Sequence, residues 1–410
     1  MNFGGKLMNI AVAQSGGPTC AINASLVGVF REALKTPEID AVFGSVNGIE
    51  GIIKDELVNL KSIITTNEDM ELLRQTPSTV LGSCRRKLDE NDEETFERIM
   101  TCFEKHRIAA FFYIGGNDSM DTVEKLSRYV KKAGKDIKII GIPKTIDNDL
   151  PVTDHTPGFG SAAKYVAATV QEIIRDCSVY SIESVTIIEI MGRNAGWLTA
   201  STCVLKANGE EAPHLIYLPE GDFDIERFLE DVRAEQAKHM AVVVAVSEGV
   251  TIPEDQLEGS YQNGVTDNFG HKYLSGIGKA LETIVRDRIG CKVRSIELNV
   301  MQRCSSHICS KTDIDEAEQI GSYAVRAALA GETGKTMVFR RISDIPYVVK
   351  IESVDTALVA NKEKVLPASW VTERGNNVSA EAIKYFLPLI QGEVKIKMKN
   401  GMPVHFKLRK

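Results

Sequence analysis

Residues 144–149 crowd a cation, a hydroxyl and two carboxylates together: Lys144, Thr145, Asp147 and Asp149, with Asn148 between the acids. They follow residues 137–142, IKIIGI, a β-rich run closed by Pro143. Proline donates no ladder hydrogen bond and keeps the residue before it out of a helix, so the strand stops there. Catalytic groups favour such strand ends. The same Asp-Asn-Asp run is also the composition of an ordinary polar turn.

Other strand ends weigh against the plain turn. Residues 109–114, AAFFYI, open into Gly115 and Gly116, and the Asn117-Asp118 pair follows where a helix should begin near Ser119. Asp118 is either an N-cap there or, with Asn117, a hard-oxygen ligand for Mg²⁺. Residues 185–190, VTIIEI, end at Met191, Gly192 and Arg193, and residues 241–246 end at Glu248 and Gly249. A first strand at residues 9–13 runs into a Gly-rich turn at 14–18 and a helix over 21–34. Gly17 either lets backbone approach a phosphate at that helix N-terminus or sits in a plain turn with nothing bound. The turn lacks G-x-G-x-x-G, so a nicotinamide or flavin dinucleotide site is not supported. A strand over 291–300 carries Arg294 and leads to Arg303, and two guanidinium forks near one cleft suggest a phosphate ligand.

Taken together these motifs resemble the phosphofructokinase family, and within it the pyrophosphate-dependent branch. GGND at 115–118, PKTIDND at 143–149 and MGR at 191–193 carry the resemblance. GGP at 16–18, GSCRR at 82–86, SEG at 247–249 and MQR at 301–303 extend it over about residues 8–340. The resemblance implies that Asp147 takes a hydroxyl proton and that Thr145 and Asp149 order the site and its Mg²⁺. It implies that Gly17, Arg85 and Lys144 face a diphosphate, and that Met191, Gly192, Arg193, Glu248, Arg294 and Arg303 hold a sugar phosphate. The implied reaction moves a phosphoryl group from pyrophosphate to the 1-hydroxyl of fructose 6-phosphate. Asp118 and Lys144 stand where ATP-dependent relatives carry Gly, and Ser184 and Val300 where those relatives carry Arg and His. An ATP-dependent kinase and a catalytically silent regulatory subunit are the alternatives.

The elements that must position these residues alternate. Helices are expected over residues 91–106, 161–175, 194–203, 225–239, 312–330 and 380–390, with the 312–330 helix capped at Thr312 or Asp313. Further strands fall at 214–218, 337–339 and 347–352. Residues 61–75 read as a polar surface wrap, and 267–285, which include His271, as a Gly-rich loop into a helix. Alternating strands and helices argue for an α/β chain with mostly parallel sheets covered on both faces. At 410 residues two doubly wound lobes are expected, with the active site in the cleft between them. The boundaries are 1–157 plus about 302–350 for a donor lobe, 158–301 for a sugar-phosphate lobe, and 351–410 for a C-terminal extension.

Composition narrows the class further. A formal charge of −7 disfavours a nucleic-acid partner. No apolar run approaches the ~20 residues a bilayer span needs, so no membrane is expected. Eight scattered cysteines without metal spacing suit reduced thiols and a cytoplasmic location. The family resemblance implies a homodimer or homotetramer.

Overall fold

The computed structural model describes residues 8–252 and 276–408. The chain runs β1 (Met8–Gln14), α1 (Ile22–Leu34), β2 (Ile39–Ser45), α2 (Ile49–Ile53), β3 (Leu57–Asn59), α3 (Asn67–Arg74), α4 (Glu93–Lys105), β4 (Ile108–Gly115), α5 (Asn117–Lys132) and β5 (Lys138–Pro143). It continues through α6 (Phe159–Cys177), β6 (Ser184–Ile190), α7 (Trp197–Ala200), β7 (Leu215–Tyr217), α8 (Ile225–Gln236), β8 (Ala241–Ser247), α9 (Ile277–Arg288) and β9 (Lys292–Glu297). It ends with α10 (Lys311–Leu329), β10 (Lys335–Asp344), β11 (Tyr347–Asp355), α11 (Ala380–Phe386) and a two-residue hairpin, β12 (Met398–Lys399) and β13 (Met402–Pro403).

Two compact units result. One holds residues 1–162, 303–363 and 389–410, and the other 163–302 and 364–388. The segment expected as a C-terminal extension is therefore divided between them. In the second unit its course is fixed by the Trp197 indole, which donates to the Lys364 carbonyl (2.9 Å), and by Glu220, which accepts from the backbone N–H of both Gly196 (2.9 Å) and Leu366 (3.0 Å).

The first unit is built on a seven-stranded sheet in the order β11-β10-β5-β4-β1-β2-β3. The inner pairings are parallel, and β11 and β3 join the edges antiparallel. Side chains alternate across a strand, and here both faces are apolar. Ile10, Val12, Phe112 and Ile114 pack towards α1 and α10, while Ala11, Ala13, Phe111 and Tyr113 pack towards α4 and α5. The chain leaves β1 towards β2 but leaves β4 towards β5 on the other side. Strand order thus reverses between β1 and β4, and such a switch point opens a crevice at the carboxyl ends of the strands. The second unit carries a four-stranded parallel sheet, β7-β8-β6-β9, with Phe228, Leu229 and Val232 of α8 and Leu281 and Val285 of α9 in its core.

Four local expectations change. Residues 61–75 are not a plain wrap, because Thr66 and Asp69 form a reciprocal capping box that starts α3. The helix expected at 194–203 is a single α-turn followed by 3₁₀ winding over Ser201–Asn208. The Ser201 and Thr202 hydroxyls bond three residues back, to the carbonyls of Leu198 (2.6 Å) and Thr199 (2.7 Å), and tighten the backbone there. The strand expected at 291–300 stops at Glu297, and Val300 lies in a 3₁₀ turn. Ser310 caps α10 in place of Thr312 or Asp313. Asp313 is instead buried and accepts the backbone N–H groups of Gly158 (2.8 Å) and Ser161 (3.0 Å) at the start of α6. The 267–275 loop and His271 lie outside the described residues.

Candidate active site

Lys144 follows β5 directly, and its backbone N–H donates to the Gly115 carbonyl (2.9 Å) at the neighbouring end of β4. From there burial alternates. Ile146, Asn148 and Leu150 are buried, whereas Thr145, Asp147 and Asp149 remain partly accessible. Asn148 makes this possible by adopting φ +54°, a left-handed conformation that Asn tolerates better than most residues. The Thr145 hydroxyl accepts from the Asp147 backbone N–H (3.1 Å) and donates to Asp147 Oδ2 (3.3 Å). It turns the carboxylate and fixes it. The Thr145 backbone is itself pinned, donating to the Pro157 carbonyl (3.1 Å) and accepting from the Thr156 hydroxyl (2.9 Å).

The supporting segment is anchored by His155, whose buried ring stacks on Phe339 at 4.6 Å. Its Nδ1 lies 2.8 Å from Asp154 and its Nε2 2.7 Å from Glu316. Burial pulls the imidazole pKa down, but the two carboxylates outweigh it and hold the value up at about 9. Neither His155 nor Glu316 belongs to a recognisable motif. Only the fold brings them under the loop.

Lys144 is 1% exposed, and its ammonium donates to the Gly17 carbonyl (2.6 Å). Burial depresses its pKa to about 8, with Asp147 opposing the fall and Arg303 adding to it. The Gly-rich turn after β1 is shaped around this cation. Gly16 sits at φ +76°, and a Cβ there would come 3.2 Å from the ammonium. A Cβ on Gly17 would meet nothing within 4 Å, so the backbone there is open to a ligand. Ser83 donates to the Gly16 carbonyl (2.8 Å) and Ser15 to the Cys84 carbonyl (2.9 Å), which fastens the turn to the loop bearing the exposed Arg85. Gly17, Arg85 and Lys144 are thus gathered around one turn at the strand-order switch.

At the next strand end, α5 starts at Asn117 with Gly116 as its N-cap and no side-chain cap. Asp118 is not the cap; it lies in the first turn, exposed, 3.0 Å from Lys87 Nζ. Asn117 spends its amide on the chain after β11, donating to the Lys362 carbonyl (2.7 Å) and accepting from the Asn361 N–H (2.6 Å). The carboxylates of Asp118, which is exposed, and Asp149, which is half-buried, offer hard oxygen donors of the kind Mg²⁺ prefers. One further trio of metal-type groups, Asp55, Cys102 and His106, lies together among the described residues. Asp55 is already shared between Lys105 and His106 Nε2, which makes this an ion-pair cluster.

The second unit supplies its own constellation. Ile190 and Ser247 pair in register, so Met191-Gly192-Arg193 and Glu248 emerge side by side from β6 and β8. Ser247 donates to the Gly192 carbonyl (2.6 Å), and the Gly192 N–H points at Glu248 Oε1 (3.3 Å). Gly192 has φ +148°, and a Cβ would stand 2.7 Å from the Ala195 carbonyl, so only glycine fits. Arg193 and Glu248 are both half-buried. Arg294 is elsewhere: on the edge strand β9 it pairs with Thr186, half-buried, its guanidinium 3.2 Å from Asp176. Arg303 belongs to the first unit, where its charge reaches Lys144. The two arginines do not share a unit.

Comparison with known proteins adds to this geometry. Residues 9–328 match the phosphofructokinase family. The chain is 38% identical to a pyrophosphate--fructose 6-phosphate 1-phosphotransferase of Halomonas elongata, over 98% of this chain and 96% of that protein. It is 39% identical to the protein of the same name from Xanthomonas campestris, over 98% and 96%. The crystal structure of pyrophosphate-dependent phosphofructokinase from Marinobacter aquaeolei superposes with a TM-score of 0.87 at 36% identity, covering 98% of this chain and 96% of that one.

Proposed function

This chain belongs to the phosphofructokinase family, and we propose that it transfers a phosphoryl group from inorganic pyrophosphate to the 1-hydroxyl of fructose 6-phosphate, giving fructose 1,6-bisphosphate and phosphate. The observation that carries the reading is the end of β5, where Lys144 is buried against Gly17 and Asp147 is held outward by Thr145. Asp147 accepts the proton of the attacking hydroxyl. That oxygen bonds to the terminal phosphorus as the bridging P–O bond breaks, and orthophosphate leaves with the bond electrons. Lys144, Arg85 and the open backbone at Gly17 hold the diphosphate. A preorganised ammonium in a desolvated site opposes charge that grows on the transferring and leaving oxygens. When bound, Mg²⁺ held by Asp118 and Asp149 supplies further charge neutralisation of the phosphoryl oxygens. Met191, Gly192, Arg193 and Glu248 hold the sugar, and Arg303 and Arg294 its 6-phosphate. Arg294 acts from a neighbouring copy in a homo-oligomer.

The chain has no helix among its described residues long and apolar enough to cross a membrane. The decisive experiment gives the purified protein fructose 6-phosphate and Mg²⁺ with pyrophosphate or ATP at equal concentration. Product should form with pyrophosphate. A preference for ATP would overturn the donor assignment while leaving the family intact.

A further inference from the structure

The first turn of α5, beside the donor turn, is covered by chain from far along the sequence. After β11, Val359 and Ala360 pack with Met120 and Leu150 into a small apolar cluster. Asn361 then turns the backbone at φ +57°. Its N–H donates to Asn117 Oδ1, and its own amide donates to Asp121 Oδ1 (2.8 Å), so one residue binds two successive turns of the helix. The opposite flank is closed too. Lys125 Nζ donates to the Leu88 carbonyl (3.0 Å) and to Asp121 Oδ2 (2.7 Å), while Lys87 reaches Asp118. Arg128 reaches Glu90 one turn further on (2.5 Å). Asp121 is the shared member, buried and bonded from both sides.

We propose that this closure sets the size of the phosphoryl donor, with Asn361 and Lys125 as specificity-determining residues that deny a nucleoside any groove alongside α5. The proposal rests on the reading of pyrophosphate as donor. The N-terminus of a helix offers its free N–H groups to a phosphate. A nucleotide bound there must lay its ribose and base along one flank of the helix, and both flanks are stitched to neighbouring chain. Inorganic pyrophosphate has no such appendage and needs neither flank. Exclusion therefore comes from hydrogen-bonded backbone and side chains that do not themselves touch the phosphates.

The test uses the full-length enzyme and its variants Asn361→Gly, Lys125→Ala and the double substitution, with ADP as the probe in competition with pyrophosphate. Glycine accepts the φ of residue 361 and removes only the bond to Asp121, so this variant should fold even if the double one does not. We expect ADP to inhibit the double variant at a concentration about tenfold lower than wild type, with Asn361→Gly in between. Turnover with pyrophosphate should stay within about twofold, since neither residue touches the reacting atoms. Tripolyphosphate inhibition should not tighten, which separates room for a nucleoside from a general gain in anion binding. Unchanged ADP inhibition in Asn361→Gly and the double variant overturns the proposal. Wild-type preference for ATP would instead overturn the donor reading, a separate result.

Discussion

Asp147 is oriented by a hydroxyl two residues earlier and by its own backbone N–H, and its charge acts on the buried Lys144. Asp147→Asn preserves that shape and removes the proposed proton acceptor. Turnover should fall by about 10² to 10⁴, the usual loss for a general base, while calorimetric binding of fructose 6-phosphate persists. Near-native turnover would move the base elsewhere. Lys144 makes a pH prediction with a definite sign. Its pKa is depressed to about 8, so the free enzyme loses the ammonium as pH rises through that value. The kcat/KM for pyrophosphate should therefore decline on the alkaline side of about pH 8, and Lys144→Arg, which stays charged, should shift the decline upward. The same depression makes the native state bind fewer protons than the unfolded chain between about pH 8 and the ordinary lysine range, so this group favours folding more as pH rises across that window. The residues of the β5 loop were legible from the sequence because proline, acids and lysine are chemically distinctive. Burial of Lys144 against Gly17 was not, since 127 positions separate them.

Helices and buried strands were legible as patterns, whereas their points of contact were not. The capping box at Thr66 and Asp69 was written in the sequence, but the surrounding charges masked α3. The crossing of α1 over α10 shows the opposite case, where nothing local signals the contact. Gly28 and Gly321 face the partner helix so closely that a Cβ would stand 2.0 Å from the Glu318 carbonyl and 2.1 Å from that of Ser25. Gly28→Ala must push the helices apart, although alanine is the better helix former by about 1 kcal/mol. Overpacking of this kind costs about 1–3 kcal/mol or more, and neighbouring Val27 and Val29 lie in the core. Urea denaturation should show Gly28→Ala clearly less stable than wild type. An unchanged or raised midpoint would mean that the helices separate at no cost. Asp313 teaches the same lesson, because it looks like a cap for its own helix and instead serves the start of α6.

At the scale of the molecule, alternating strands and helices conveyed the parallel sheets and the two units. The course of residues 356–408 stayed hidden because, apart from the helix expected at 380–390, the stretch carries no periodic motif, and it is divided between the two units. Arg294 is where the proposed homo-oligomer would bear on the chemistry. Within its own unit it pairs with Thr186, four register steps before Ile190, and so lies about 13 Å short of the strand end that carries Gly192 and Glu248. It is half-buried on an edge strand, beside Tyr180 and Ile182, whose exposed apolar side chains are of the kind that marks an interface. If it reaches a neighbouring copy's sugar phosphate across an isologous contact, each site draws on both chains. Arg294→Ala and Asp147→Asn would each be poorly active alone, for different reasons. Mixed and allowed to exchange subunits, they should regain activity, because one site of each hybrid then combines an intact Asp147 with an intact Arg294 from the other chain. Hybrids that remain inactive, with exchange verified by mass, would show that Arg294 serves its own chain or another purpose.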